Sequence, residues 1–220
     1  MKKTFVFILA LACLQMAHTQ TPGGYSSNLQ LWLKAGSGVT GANPVVSWTN
    51  LAGTSADAIQ VGDAPDLLTE QLNFNPVVDF NGVNDYLQIT GGILGNSTFN
   101  DLWVYSVSKT DALNNATLFM EPADNGRFAV LAPWGNDTYI YSGGDQHPAP
   151  HGGDAVDYNI WTHSTSTTTT TPSGAAKSIS RNGAYLGAGS AIGSFVTGDG
   201  SDLLIGGGWN GSGVPQPGSN

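Results

Sequence analysis

The sequence predicts an all-β protein built as a β-sandwich, and three observations carry that expectation. Its acids are 14 Asp and only 2 Glu, Glu70 and Glu121; Asp belongs to turns and Glu to helices, because the short carboxylate competes for nearby backbone amides. No window of useful length places apolar residues at helical spacing. Short runs rich in Val, Ile, Tyr, Trp and Thr instead recur between clusters of Gly, Asn, Asp and Pro, in a chain with 30 Gly and 11 Pro.

Taken in order, the runs that read as strands are Leu29 to Lys34, Val45 to Trp48, Val77 to Phe80, Tyr86 to Thr90, Leu102 to Lys109 and Ala116 to Met120. Arg127 to Leu131, Thr138 to Ser142, Ile160 to Thr170, Ala175 to Ser180, Ala184 to Leu186 and Leu203 to Gly206 follow. Twelve short strands are a sandwich count. In "LWVYSVSK" the residues Leu102, Val104, Ser106 and Ser108 share one face, and Trp103, Tyr105, Val107 and Lys109 the other. Both faces carry bulk, which suits a central strand. "SISRNGAYL" sets Asn182-Gly183 between two strand-like pieces. Asn-Gly is a hairpin signal because both positions accept positive φ. The tract "STSTTTTT", Ser164 to Thr171, follows Ile160-Trp161 and precedes the turn Pro172-Ser173-Gly174, so it reads as the body of a long strand rather than a glycosylated stalk. Two long segments read as loops, Gly53 to Asn75 and Gly143 to Tyr158, and long loops tend to be functional or disordered.

Residues 1–19 read as a secretory signal peptide: Lys2 and Lys3, an apolar run from Thr4 to Met16, then Ala17-His18-Thr19 as a cleavage site before Gln20. A secreted or cell-surface domain of residues 20–220 is expected. The apolar run is too short for a membrane span, and no membrane insertion is expected downstream. Cys13 is the single cysteine and lies in the leader, so the secreted chain forms no internal disulfide and its stability rests on a core. Leu11-Ala12-Cys13 is also a weak match to a lipoprotein cleavage box. Without Lys2 and Lys3, 5 basic groups face 16 acidic ones, a formal balance of −11. That surface repels nucleic acid and suits cations or neutral ligands.

"LQLWLKAGSGV", "VVSWTNLAGTSADAIQ", "NFNPVVDFNGVNDYLQI", "IWTHSTSTTTTT…KSISRNG" and "LLIGGGWNG" follow one another in an order that resembles the LamG-like, concanavalin A-like jelly-roll domains. The resemblance is closest to those of secreted Bacteroidetes surface proteins, where a Thr-Pro-Gly-Gly-like start, here Thr21 to Gly24, precedes a Leu-Trp-Leu-Lys-Ala strand. It covers nearly all of residues 20–220 and implies a two-sheet antiparallel jelly roll. Such domains run on into a final strand of the form Phe-x-Gly-x-Ile-x-Glu-Val beside the first strand. The sequence stops short of it, so the expectation is a domain incomplete at its C-terminus within a longer polypeptide.

Three groups of residues are candidates for chemistry. The turn in "DFNGVNDYL" offers Asp79, Asn84 and Asp85. These are ligands for Ca²⁺, which takes six to eight oxygens, or the ordinary polar tip of a hairpin. The loop "GGDQHPAPHGGDAVD" offers Asp145, His147, His151, Asp154 and Asp157. Zn²⁺ is the weaker reading there, since Pro148 and Pro150 forbid a helix that would align the two imidazoles. A sugar-contacting loop, helped by Trp134 or Trp209 stacking on a pyranose face, is the stronger one. Trp32, Trp48, Trp103 and Trp161 read as core.

The jelly roll also hosts carbohydrate-active enzymes. A glycosidase needs two carboxyl groups facing a cleft, and neither Glu70 in "DLLTEQL" nor Glu121 in "FMEPAD" has an acidic partner two or four residues along a strand face. No Gly-x-Ser-x-Gly elbow is present. The expected function is a non-catalytic extracellular module recognising glycan or a cell-surface partner, with Ca²⁺ as the candidate ion. The alternatives are a structural module without a small ligand or, less favoured, an enzyme of the same fold.

Overall fold

The computed structural model describes residues 21–24, 26–111, 116–123, 126–143, 145–150, 154–167, 176–189, 196–209 and 215–217. In chain order the strands are β1 (Val39–Thr40), β2 (Ser47–Trp48), β3 (Ala58–Gln60), β4 (Asp66–Leu72), β5 (Asn75–Asp79), β6 (Leu87–Ile89) and β7 (Thr98–Phe99). Then come β8 (Asp101–Ser108), β9 (Thr117–Ala123), β10 (Gly126–Trp134), β11 (Asp137–Gly143), β12 (Asp145–Pro150) and β13 (Asn159–Ser166). The series ends with β14 (Lys177–Arg181), β15 (Ala184–Gly189), β16 (Val196–Thr197), β17 (Leu203–Ile205), β18 (Gly207–Trp209) and β19 (Pro215–Pro217). Among the described residues the only helical pieces are two short 3-10 turns, Pro22–Gly24 and Asp154–Val156. No helix there is long and apolar enough to cross a membrane.

Nine strands form one antiparallel sheet in the order β1-β2-β3-β6-β17-β9-β10-β11-β12, and four form a second in the order β15-β14-β13-β8. The two pack face to face. Their shared core takes Leu87, Ile89, Phe128, Val130, Ile140, Leu203 and Ile205 from the large sheet, and Leu102 and Ile179 from the small one. Alternation on paired strands places these residues on the facing sides. At one lateral margin the sandwich closes: a Cβ built on Gly187 of β15 would lie 3.3 Å from Ala149 Cβ of β12. The protein is therefore an all-β antiparallel sandwich, as the composition and run pattern predict.

Most predicted runs become strands, with ends displaced by a few residues, and Asn182-Gly183 is a two-residue hairpin turn between Arg181 and Ala184. Five expectations need correction. The run Leu102 to Lys109 forms β8, an edge strand among the described residues and not a central one; the bulk on its second side faces outward and not a second layer. Leu29 to Lys34 is not a strand: it is held by Leu51 N–H donating to Trp32 O (2.9 Å), Trp32 N–H donating to Asn50 Oδ1 (3.0 Å) and one isolated bridge, Lys34 to Ser37. Gly53 to Asn75 contains β3 and most of the β4–β5 hairpin, whose tip Asn73-Phe74 takes φ of 48° and 63°. Gly143 to Tyr158 contains β12, because its prolines sit on the last strand of the sheet, where no further strand among the described residues needs their missing N–H. Trp103 is not core; its ring lies on the outer face of the small sheet, and Trp32 is only partly buried, whereas Trp48, also partly buried, packs against the core as expected. The far end of the predicted run to Thr170 lies outside the described residues.

Candidate functional site: the outer face of the small sheet

Register decides which side chains meet on each face of the four-stranded sheet. Trp161, His163 and Thr165 of β13 point inward, and Ile160, Thr162 and Ser164 point outward. Across the strands, Tyr105 lies opposite Thr162, Thr162 opposite Ser180, and Ser180 opposite Tyr185. One row thus runs Tyr-Thr-Ser-Tyr over all four strands, with the two tyrosines three strand spacings apart, roughly 14 Å. The neighbouring rows place Val107 opposite Ile160, and Trp103 opposite Ser164.

Around the Tyr105 row this face is exposed and apolar at its rails, whereas Ser164 and Ser178, further along the same face, are buried. Tyr105 is 68% accessible, Ile160 56%, Val107 55%, Tyr185 50% and Trp103 38%. The rings of Trp103 and Tyr105 stand 6.4 Å apart and within 16° of parallel, a continuous aromatic surface along β8. Between the rails the side chains are hydroxylated and short, Thr162 and Ser180. A floor of hydroxyls between aromatic walls binds a ligand that presents both apolar faces and hydroxyl edges.

The interior between the sheets is mostly apolar, but it seals in ionisable groups. His163 is fully buried; its Nε2 lies 3.0 Å from Thr138 Oγ1, and that hydroxyl donates to Leu131 O at 2.9 Å. Since the threonine proton is committed, His163 Nε2 carries the donated hydrogen, and Nδ1 is left without a partner among the described residues. Burial pushes its pKa down to about 3. Glu121 is also fully buried and accepts the N–H groups of Ile93 (2.8 Å) and Leu94 (2.9 Å). Burial raises its pKa to about 7, against the lowering effect of those two amides. Asp202 performs the companion task, accepting Gly91 N–H (2.7 Å) and Gln88 Nε2 (2.6 Å). The two carboxylates tie the turn after β6 to β9 and β17. Glu70 stands exposed on the β4–β5 hairpin, so the two glutamates share no surface.

The candidates from the sequence do not converge. Trp134, 38% exposed, ends β10 opposite Asp137 at the start of β11, and Asp145 pairs with Ser142 near the other end of β11. About 17 Å of strand separates those ends. His147 is buried opposite Ile140; burial lowers its pKa, a Gly187 backbone hydrogen bond opposes that, and the Lys177 charge adds to it. Asp154 opens a 3-10 turn and Trp209 ends β18. His151 lies outside the described residues.

In "DFNGVNDYL", Asn84 and Asp85 do come together. Asn81 Oδ1 accepts Val83 N–H (2.8 Å) and Asn84 N–H (3.1 Å). Asp85 accepts Asn81 N–H (2.9 Å) and Asn81 Nδ2 (3.0 Å), and Asn84 Nδ2 donates to Asp63. Asp79 stands apart on β5, opposite Asp66, its pKa raised by burial and by the charge of Asp111. Among the described residues no three His, Cys, Asp or Glu side chains gather as a metal-holding group.

Sequence reasoning missed Tyr105, Val107, Ile160 and Tyr185 as surface residues. The signal was present in the alternation of "LWVYSVSK", but period two gives the two faces without saying which one meets the core.

What this architecture defines is a class, an antiparallel β-sandwich with an aromatic-railed outer face. No protein-family model matches this chain, and no curated protein matches it.

Proposed function

We propose that the protein is a secreted, non-catalytic jelly-roll module of the LamG-like kind that recognises neutral glycan through the outer face of its small sheet. The observation that supports this most is the row Tyr105, Thr162, Ser180 and Tyr185 beside the parallel rings of Trp103 and Tyr105. A pyranose ring presents a C–H face to an aromatic ring and its hydroxyl edge to Thr and Ser oxygens. The rails and floor carry no formal charge, and the chain is acidic, so an anionic ligand is disfavoured.

A glycan array with the purified protein tests this. Retention of neutral oligosaccharides is expected, with a tenfold or greater loss in Trp103→Ala and in Tyr105→Ala, the ratio equivalent to about 1.4 kcal/mol for one stacking contact. Binding insensitive to both but lost in Trp134→Ala would move the site to the β10–β11 turn. No retention on any glycan would favour a structural or protein-binding module. Repeating the array in Ca²⁺ and in EGTA asks whether Asp79, Asn84 and Asp85 hold an assisting ion; sensitivity to EGTA that Asp85→Ala abolishes would say that they do.

A further inference from the structure

Two sheets of unequal width leave four lateral edges, and three of them are guarded. β1 is two residues long; β12 carries Pro148 and Pro150; β15 meets β14 through a register shift between Ile179 and Ser180. Short edges, prolines and bulges each prevent a further strand from adding. β8 has none of these. It is eight residues long, contains no proline, and pairs with β13 in an unbroken register from Asp101–Ser166 to Ser108–Asn159. Among the described residues β13 is its only ladder partner.

The side chains of β8 fit a second copy of themselves. In an antiparallel pairing about a two-fold axis through Tyr105, Trp103 faces Val107 of the second copy and Val104 faces its Ser106. Asp101 then faces Lys109 of the second copy, once at each end. Registers shifted by two residues lose this match: one sets Asp101 against Val107, the other sets Asp101 against Asp111. Like charges directly opposite are destabilising and opposite charges favourable. The match also respects the two faces, apolar Trp103, Tyr105 and Val107 outside, Leu102 and Val104 inside. Lys109 is 38% exposed on its side chain, bonds the surface carboxylate of Asp111 at 3.2 Å and lies 5.4 Å from the centre of the Tyr158 ring, so redirecting it gives up two weak surface contacts.

We propose that the protein forms a two-fold dimer by antiparallel pairing of β8 with β8, joining the two small sheets into one eight-stranded sheet. The interface is isologous, so it closes at two copies. Pairing sets the two Trp103–Tyr105 surfaces side by side on the outer face, so a chain-like ligand meets four aromatic rings in one plane. The dimer does not depend on the ligand being a glycan, and its test needs no ligand.

Sedimentation velocity of the full chain should show a dimer that dissociates on dilution. Lys109→Asp and Asp101→Lys should each weaken it by threefold or more, and the double exchange, which restores opposite charges at both ends, should recover it. Register is read separately in a Cys13→Ser background, where facing Cα atoms in a sheet stand at disulfide distance. Under mild oxidation Tyr105→Cys should cross-link and Trp103→Cys should not, with circular dichroism showing both folded. A chain that stays monomeric at high concentration, cross-linking by Trp103→Cys in place of Tyr105→Cys, or charge variants that weaken the dimer without recovery in the double exchange would overturn the proposal.

Discussion

At the scale of single residues, two buried ionisable groups set the acid response in opposite directions. His163 has a folded pKa of about 3 against an ordinary 6.5. The unfolded chain therefore takes up the proton first, and its contribution to stability is lost as pH falls from 6.5 towards 3, about 2 kcal/mol by pH 5. Glu121 has a folded pKa of about 7 against 4.5. Its folded form holds the proton more tightly, so its contribution is full below 4.5 and is lost as pH rises through 7. Urea unfolding should find the His163→Leu variant less acid-sensitive than the parent between pH 7 and pH 5. Glu121→Gln should be less base-sensitive between pH 5 and pH 8, and weaker at pH 5 because one of two amides loses its acceptor. Gly92 belongs with Glu121: at φ +63° and buried, a Cβ there would overlap the carboxylate and Ser201 O. Gly92→Ala should therefore cost more than about 2 kcal/mol, combining a left-handed conformation with overpacking.

At the scale of elements, the two hairpin tips show how local chemistry and tertiary context divide the work. The β14–β15 turn was legible because Asn182-Gly183 accepts positive φ, and the structure adds two bonds invisible in sequence. Asn182 Oδ1 accepts Ile160 N–H (2.9 Å), and Asn182 Nδ2 donates to Asn159 Oδ1 (2.7 Å). Asn182→Ala should lose about 1–2 kcal/mol, more than turn propensity alone. The β4–β5 tip was not legible, since nothing in "QLNFNP" names Phe74 as a left-handed residue. Phe74 is 89% exposed at φ 63°, a strained position with no packing in return. Phe74→Gly should stabilise the protein by about 0.5–1 kcal/mol, read as a rise in thermal midpoint. The same limit explains β12: Gly and Pro in "GGDQHPAP" argue against an interior strand, and only the vacant outer side of an edge makes them tolerable.

For the molecule as a whole, the closed margin between β12 and β15 and the open margin at β8 imply an uneven stability. Amides of Phe128 to Leu131 and of His163 to Thr165, on strands flanked on both sides and buried, should exchange with solvent slowest. Those of β4 and β5, which form a separate two-stranded ribbon, should exchange orders of magnitude faster. Hydrogen exchange by mass spectrometry resolves the two sets. Equal protection of the β4–β5 ribbon would mean that it docks more firmly than its partly exposed residues indicate.

The class and most of the strands follow from local preferences along the chain. Turn-forming Asp, Gly and Pro separate runs of β-branched and aromatic residues, and those preferences act within a few residues of chain. The parity of each strand follows from alternation along the chain too, as in the split of "LWVYSVSK" into two faces. The tertiary structure alone decided which parity meets the core, because that depends on the sheet lying opposite. Leu102 and Val104 went inward and Trp103, Tyr105 and Val107 outward. It alone moved His147 from an apparent loop into the interior and set Tyr185 in line with Tyr105, since register between strands distant in sequence is fixed by packing and not by any local preference.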